Sequence, residues 1–95
     1  MVALDLLGRR GSLRILWELR AGLPLTFRVL QDAAQTNPSL LNTRLKELRE
    51  AGLVEHLGDG YQLTASGREL LSALQPLSAW APRWAAKQAR IAGEV

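Results

Sequence analysis

Between residues 38 and 51 leucine recurs at Leu41, Leu45 and Leu48, the i, i+4, i+7 interval that collects side chains on one face of an α-helix. Asn37 and Pro38 precede the run as an N-cap and a proline at the first helical position, and Gly52 follows it as a C-terminal stop. Upstream, SLRILWELRA predicts a helix with Ser12 as its cap and Leu13, Leu16 and Leu19 inward, closed by Gly22-Leu23-Pro24. Arg14 and Glu18 fall opposite that face as a solvated pair. A short helix is expected after the cap residue Thr26, running through FRVLQDAA with Phe27, Leu30 and Ala34 inward, before Gln35 and Thr36 turn the chain.

Past Gly52 the period changes from helical to alternating. LVEHL and YQL flank Gly58-Asp59-Gly60 as two short strands around a tight turn. Thr64 then caps a last helix beginning near SGREL, with Glu69 in its first turns. Leu70, Leu74, Leu77, Ala81, Trp84, Gln88 and Ile91 alternate by four and three, which marks a narrow helical seam. Pro76 and Pro82 each remove a hydrogen bond, to the carbonyls of Ser72 and Ser78, so a kinked helix or two pieces is expected. Helix, short helix, tight turn, longer helix, hairpin, helix is the order of a winged helix-turn-helix. The fold expected is therefore mainly α with a small β-hairpin wing (α+β), as one domain over residues 1–95.

Composition narrows the function. With 47% hydrophobic and 22% charged residues the chain has the apolar content for a core, and at 95 residues that core is small enough for a partner subunit to help. There is no cysteine, which excludes a disulfide framework and a thiolate metal site, and the single His56 cannot assemble a metal site or a triad unaided, so neither metal nor cofactor is expected. No nucleophile with a neighbouring base and no recognisable pair of carboxylates argues for an enzyme. No apolar run approaches the roughly 20 residues of a membrane helix, and MVALDLLGRR carries its charges after its apolar stretch, the reverse of a secretory signal. A cytoplasmic protein is expected, without membrane contact. The formal charge is +3, and residues 1–50 hold eight Lys or Arg against five Asp or Glu, while residues 51–95 hold four of each. The first half should therefore present the basic surface.

The stretches LLGRRGSLRILWELRAGLPLTFRVLQ, NPSLLNTRLKELREAGLVEH and YQLTASGRELLSALQPLSAWA together resemble the HxlR family of bacterial winged-helix regulators over nearly the whole chain. RLKELREAGLVE and LTASGRELL are the specific motifs, of which the related MarR family has weaker versions. The resemblance implies a homodimer on pseudo-palindromic promoter DNA, the third helix in the major groove and the terminal segments at the dimer contact. The chain departs from the family in three places. Arg10-Gly11 keeps the basic residue but not the Trp that opens the first helix, the cysteine of redox-sensing members is absent, and Gly58-Asp59-Gly60 replaces a longer, basic wing.

With Leu41, Leu45 and Leu48 inward, a step of 100° per residue puts Ser39, Asn42, Thr43 and Lys46 on the outward arc of the recognition helix, about residues 38–51. An amide such as Asn42 matches adenine at two edges, Ser39 and Thr43 suit bases or phosphates, and Lys46 suits a phosphate. Taken alone, such a face is equally that of any solvated helix. Leu40 either completes the core or sits at the groove edge. Arg44, beside the buried stripe, and Arg10, Thr26 and Arg28, near helix starts, are candidates for phosphate contacts that set register without reading sequence. Arg49, Glu47 and Glu50 are expected to face away from the duplex, and His56 to be an ordinary half-exposed strand residue.

Leu74, Leu77, Trp80 and Trp84, with Leu6 and Trp17, read either as monomer core or as a dimer contact. So short a body has difficulty burying three tryptophans, which favours the dimer, formed by the terminal segments, about 1–10 and 66–92. Double-stranded DNA, a second copy and an unknown small-molecule effector are the partners expected. The competing function is a winged-helix protein-interaction module that has lost DNA binding, favoured by the short acidic wing.

Overall fold

The computed structural model describes residues 2–93. Its elements run α1 (Val2–Leu7), α2 (Ser12–Glu18), β1 (Leu25–Thr26), α3 (Phe27–Ala34), α4 (Pro38–Glu50), β2 (Val54–Leu57), β3 (Gly60–Leu63) and α5 (Ala65–Gly93). The architecture is mainly helical with a small three-stranded antiparallel sheet in the order β1-β3-β2. It is a winged helix-turn-helix in which α2, α3 and α4 surround the core and the β2–β3 hairpin forms the wing.

The core is drawn from every layer: Ile15, Leu16 and Leu19 of the α2 region, Leu30 of α3, Leu41, Leu45 and Leu48 of α4, Val54 of β2 and Leu63 of β3. Phe27 and Ala34 pack against this cluster as their spacing predicts, and so does Leu6, from α1. On α2 the inward set differs from expectation. Ser12, Ile15, Leu16 and Leu19 are buried, whereas Leu13 is exposed on the flank. Ser12 is therefore not the cap. Gly11 takes that position with φ 88°, and no side chain caps the helix. Only a residue without a Cβ accepts this left-handed backbone readily, and its use turns the small Ser12 side chain into the core. The Ser12 hydroxyl has no hydrogen-bond partner there.

Two elements were not anticipated. α1 forms over VALDLL, and β1 adds a third strand by pairing Leu25 with Tyr61 and Thr26 with Gly60. The second pairing explains Gly60, since a Cβ there would stand 2.7 Å from the Cβ of Pro24. Gly60 thus belongs to β3, and the hairpin loop shrinks to Gly58-Asp59, between the paired residues Leu57 and Gly60. Gly58 at φ 61° in the first loop position suits a two-residue turn of type II′.

Helix α5 decides against one of the two forms expected for it. It runs as one 29-residue helix through both Pro76 and Pro82, not as two pieces. Each proline deprives one carbonyl of its partner, yet Ser72 and Ser78 are exposed, so water can serve those carbonyls while the turns on either side continue. At about 1.5 Å per residue the helix reaches about 43 Å. It accounts for the long dimension of a molecule measuring 52 × 25 × 25 Å.

The start of α5 is tied to the end of α4. Gly52 lies at φ 75°, its N–H donates to Arg49 O, and the N–H of Leu53 donates to Leu48 O, each at 3.0 Å, which is a Schellman stop. The Thr64 N–H donates to Leu53 O at 3.0 Å and its hydroxyl to Gly52 O at 2.5 Å. Thr64 Oγ1 also accepts from the Gly67 N–H at 3.1 Å, capping α5 as expected. Gly67 is buried against the Leu53 carbonyl so closely that no Cβ fits.

Candidate nucleic-acid interface

Helix α4 is fixed at both ends and along its inner face. Asn37 Oδ1 accepts the Leu40 N–H at 2.8 Å, Pro38 opens the first turn, and the glycine stop ends the last. Leu41, Leu45 and Leu48 are buried, so rotation about the axis is settled and Ser39, Asn42, Thr43 and Lys46 face outward, all four exposed. The Thr43 hydroxyl donates to Ser39 O at 3.0 Å, which steadies its side chain and leaves the hydroxyl oxygen able to accept. Leu40 is half-buried, with its side chain beside Gly11.

The four other candidates divide. Thr26 caps α3, its Oγ1 accepting the Val29 N–H at 3.3 Å, and Arg28 is exposed in the first turn beside it. The Arg10 side chain is exposed, while its carbonyl accepts from Arg44 Nε at 2.8 Å. Arg44 is drawn inward: besides Arg10 O it meets Glu47 Oε1 at 2.5 Å, and only 16% of its side chain is exposed. Glu47 bridges Arg44 and Arg9 and so pins α4 to the turn between α1 and α2. Arg9 was not singled out in the sequence, although it adjoins Arg10. Arg14 and Glu18 form the expected ion pair at 2.9 Å.

Between the second half of α4 and the first wing strand lies a polar cleft of about 540 Å³, lined by Lys46, Arg49, Glu50, Val54, Glu55 and His56. Arg49 and Glu50 thus border the same surface as Lys46. His56 is exposed, and its ring stacks on Tyr61 with centroids 4.1 Å apart. Glu55 accepts from the Gln62 amide at 2.8 Å.

A second surface lies along α5. Leu77, Trp80, Trp84 and Ile91 are each about half exposed in one continuous stripe, and Trp80 stacks on Trp84 at 5.7 Å. Leu74 is half-buried. Trp17 does not join the tryptophan pair. It lines a groove of about 670 Å³ between α2 and α5, with Leu13, Leu71, Leu74 and Leu77, and carries the Arg20 guanidinium 4.2 Å above its ring. Leu6 packs on its own core, and Met1, in the N-terminal segment expected at the dimer contact, lies outside the described residues. Among the described residues no group of three or more His, Cys, Asp or Glu could hold a metal ion, and no helix is long and apolar enough to cross a membrane.

Comparison with known proteins agrees with this architecture. The model of the HxlR-like helix-turn-helix family matches residues 6–89. An uncharacterized HTH-type transcriptional regulator of Methanocaldococcus jannaschii is 29% identical over 90 residues, covering 90% of this chain and 82% of the relative. Among solved structures, quinone-bound YodB from B. subtilis superposes with a TM-score of 0.80 at 32% identity, over 86% of this chain and 93% of that one. A possible HxlR family transcriptional factor from Thermoplasma volcanium gives 0.77 at 27% identity, over 85% and 79%.

Proposed function

The chain belongs to the HxlR-like helix-turn-helix family, whose members are transcriptional regulators and not enzymes, and from that premise we propose that it binds operator DNA as a homodimer with α4 in the major groove. One observation carries the reading: a helix capped at both ends and locked by three buried leucines turns Ser39, Asn42, Thr43 and Lys46 to solvent. Asn42 is assigned to an adenine edge, Ser39 and Thr43 to bases or neighbouring phosphates, and Lys46 to a phosphate. Thr26 and Arg28 at the start of α3, with Arg10, take phosphates that fix the register. Arg44 acts mainly by holding α4 against the Arg10 carbonyl, since Nε and Nη1 are already engaged.

The second copy is assigned to the α5 stripe, where Leu77, Trp80 and Trp84 are exposed together with Leu74 at their edge. In this reading residues 2–93 form one DNA-binding domain, and the terminal segments complete the dimer. A small-molecule effector belongs to the same proposal, with the α2–α5 groove as its place, because it adjoins the stripe and is walled by leucines and Trp17. The quinone of the B. subtilis neighbour sets the precedent for a small ligand on this fold.

The test is fluorescence anisotropy on a labelled duplex taken from upstream of the protein's own gene, at two salt concentrations. Affinity should fall steeply with salt, because bound Lys and Arg displace counterions. Absent or salt-insensitive binding would overturn the proposal. The competing interaction-module reading rests on the acidic wing tip at Asp59, and it requires that Asn42→Ala with Lys46→Ala leave activity intact. The DNA reading requires loss of operator binding by that variant.

A further inference from the structure

We propose that Glu47 is a positioning residue for sequence readout: by gripping Arg9 and Arg44 it sets the tilt of α4, and with it the ability to tell one duplex from another. This rests on the DNA-binding reading and deepens it, because selectivity then depends on a carboxylate at the flank of the helix as well as on the side chains of its outward arc.

The buried Leu41, Leu45 and Leu48 fix the rotation of α4 about its own axis. Apolar packing is non-directional, however, and a single seam of leucines is also a line about which a helix can rock. At 100° per residue Arg44 and Glu47 fall on one flank of that seam, between it and the arc of Ser39, Asn42, Thr43 and Lys46. The opposite flank faces the open polar cleft toward β2. The bonds on the first flank therefore decide how the helix leans.

Three bonds converge there. Arg44 Nε donates to Arg10 O at 2.8 Å, Arg44 Nη1 donates to Glu47 Oε1 at 2.5 Å, and Arg9 Nη1 donates to Glu47 Oε2. One carboxylate thus engages an arginine of its own helix with one oxygen and an arginine of the α1–α2 turn with the other. The Arg44 and Glu47 side chains are each only 16% exposed, so solvent screens their pairing weakly. Without the carboxylate, Arg44 would keep its charge in a confined place with the Arg10 carbonyl alone to accept from it. The helix would then lean to let the guanidinium reach water. A hydrogen bond to a base edge weakens steeply as its angle closes, whereas a lysine on a phosphate acts as a flexible point charge. A change of tilt therefore costs sequence readout more than it costs attraction to the backbone.

Charge alone predicts the opposite result. Glu47 is an anion on a helix that enters a polyanion, so removing its charge with no other effect would strengthen binding to every duplex. The experiment uses the full chain and two labelled duplexes of about 25 base pairs, one enriched by the wild type from a random-sequence pool and one of mixed sequence. Glu47→Gln should lose about tenfold in affinity for the enriched duplex, while its affinity for the mixed duplex stays at the wild-type value or rises. Glu47→Asp keeps the charge but is a methylene shorter and cannot span both arginines, so it too should lose preference for the enriched duplex. A merely structural defect would lower both affinities together, and circular dichroism with a urea titration checks that each variant is folded in the assay. An unchanged ratio of the two affinities in Glu47→Gln overturns the proposal and leaves DNA binding standing, as does a wild type that binds duplex but enriches no sequence. Failure of the wild type to bind duplex at all removes both.

Discussion

Asn37 decides where α4 begins, because its side-chain oxygen takes the Leu40 N–H that an uncapped helix would leave to solvent. Asn37→Ala should lower unfolding free energy by about 1 kcal/mol in a urea titration, with Asn37→Asp close to wild type. Ser12 makes the opposite case. Its hydroxyl is buried without a partner, so the group costs desolvation and returns no hydrogen bond. Ser12→Ala should be neutral or stabilising by up to about 1 kcal/mol, read in the same titration, and a loss of stability would mean that the hydroxyl is paired in solution. The outward arc of α4 was legible from the sequence because it follows from the leucine interval alone. Arg44 was not, because what turns it inward is the carbonyl of Arg10 and the carboxylate of Glu47, the first of them brought near only by the tertiary fold. The α4–β2 cleft escaped for the same reason: it exists between elements, and no local pattern announces that Arg49 and His56 share a surface.

Helices α3 and α4 and the hairpin could be read directly, since each carries its own punctuation: Thr26, Asn37-Pro38 and Gly52 at helix ends, and Gly58-Asp59 at the turn. β1 carries none. Two residues become a strand only because β3, distant in sequence, presents an edge to them. α1 lacks a cap signal, and the cap of α2 was misassigned because Ser12 has the right chemistry while Gly11 has the required backbone freedom. For α5 the prolines left open a kinked helix or two pieces, and the chain stays in one helix, since each ring costs one hydrogen bond and leaves the neighbouring turns intact. Pro82→Ala should therefore restore a bond to Ser78 and strengthen the helix, by at most about 3 kcal/mol on intrinsic propensity. The expected signs are a higher thermal midpoint and greater helical ellipticity. No change in either would show that the turn around residue 82 is frayed in the wild type.

At the scale of the molecule, a body about 25 Å across carries a helix much longer than itself, and from residue 82 onward every described residue of that helix is exposed. An apolar stripe so placed is satisfied by another chain better than by water. Trp80→Ala with Trp84→Ala should leave the monomer folded, because neither ring belongs to the core, and, on the proposed dimer reading, should sediment as a monomer at concentrations where the unaltered chain sediments as a dimer. Identical sedimentation of the two would overturn the α5 contact proposed above. The joint formed by Gly52, Leu53, Thr64 and Gly67 then acquires a mechanical meaning. It clamps the root of the long arm to the tail of α4 through the Thr64 N–H on Leu53 O and the Thr64 hydroxyl on Gly52 O, with Gly67 too close to the Leu53 carbonyl to admit a Cβ. A torque applied to the far end of that arm would pass through the joint as through the fulcrum of a lever, and swing α4 against whatever lies beneath it.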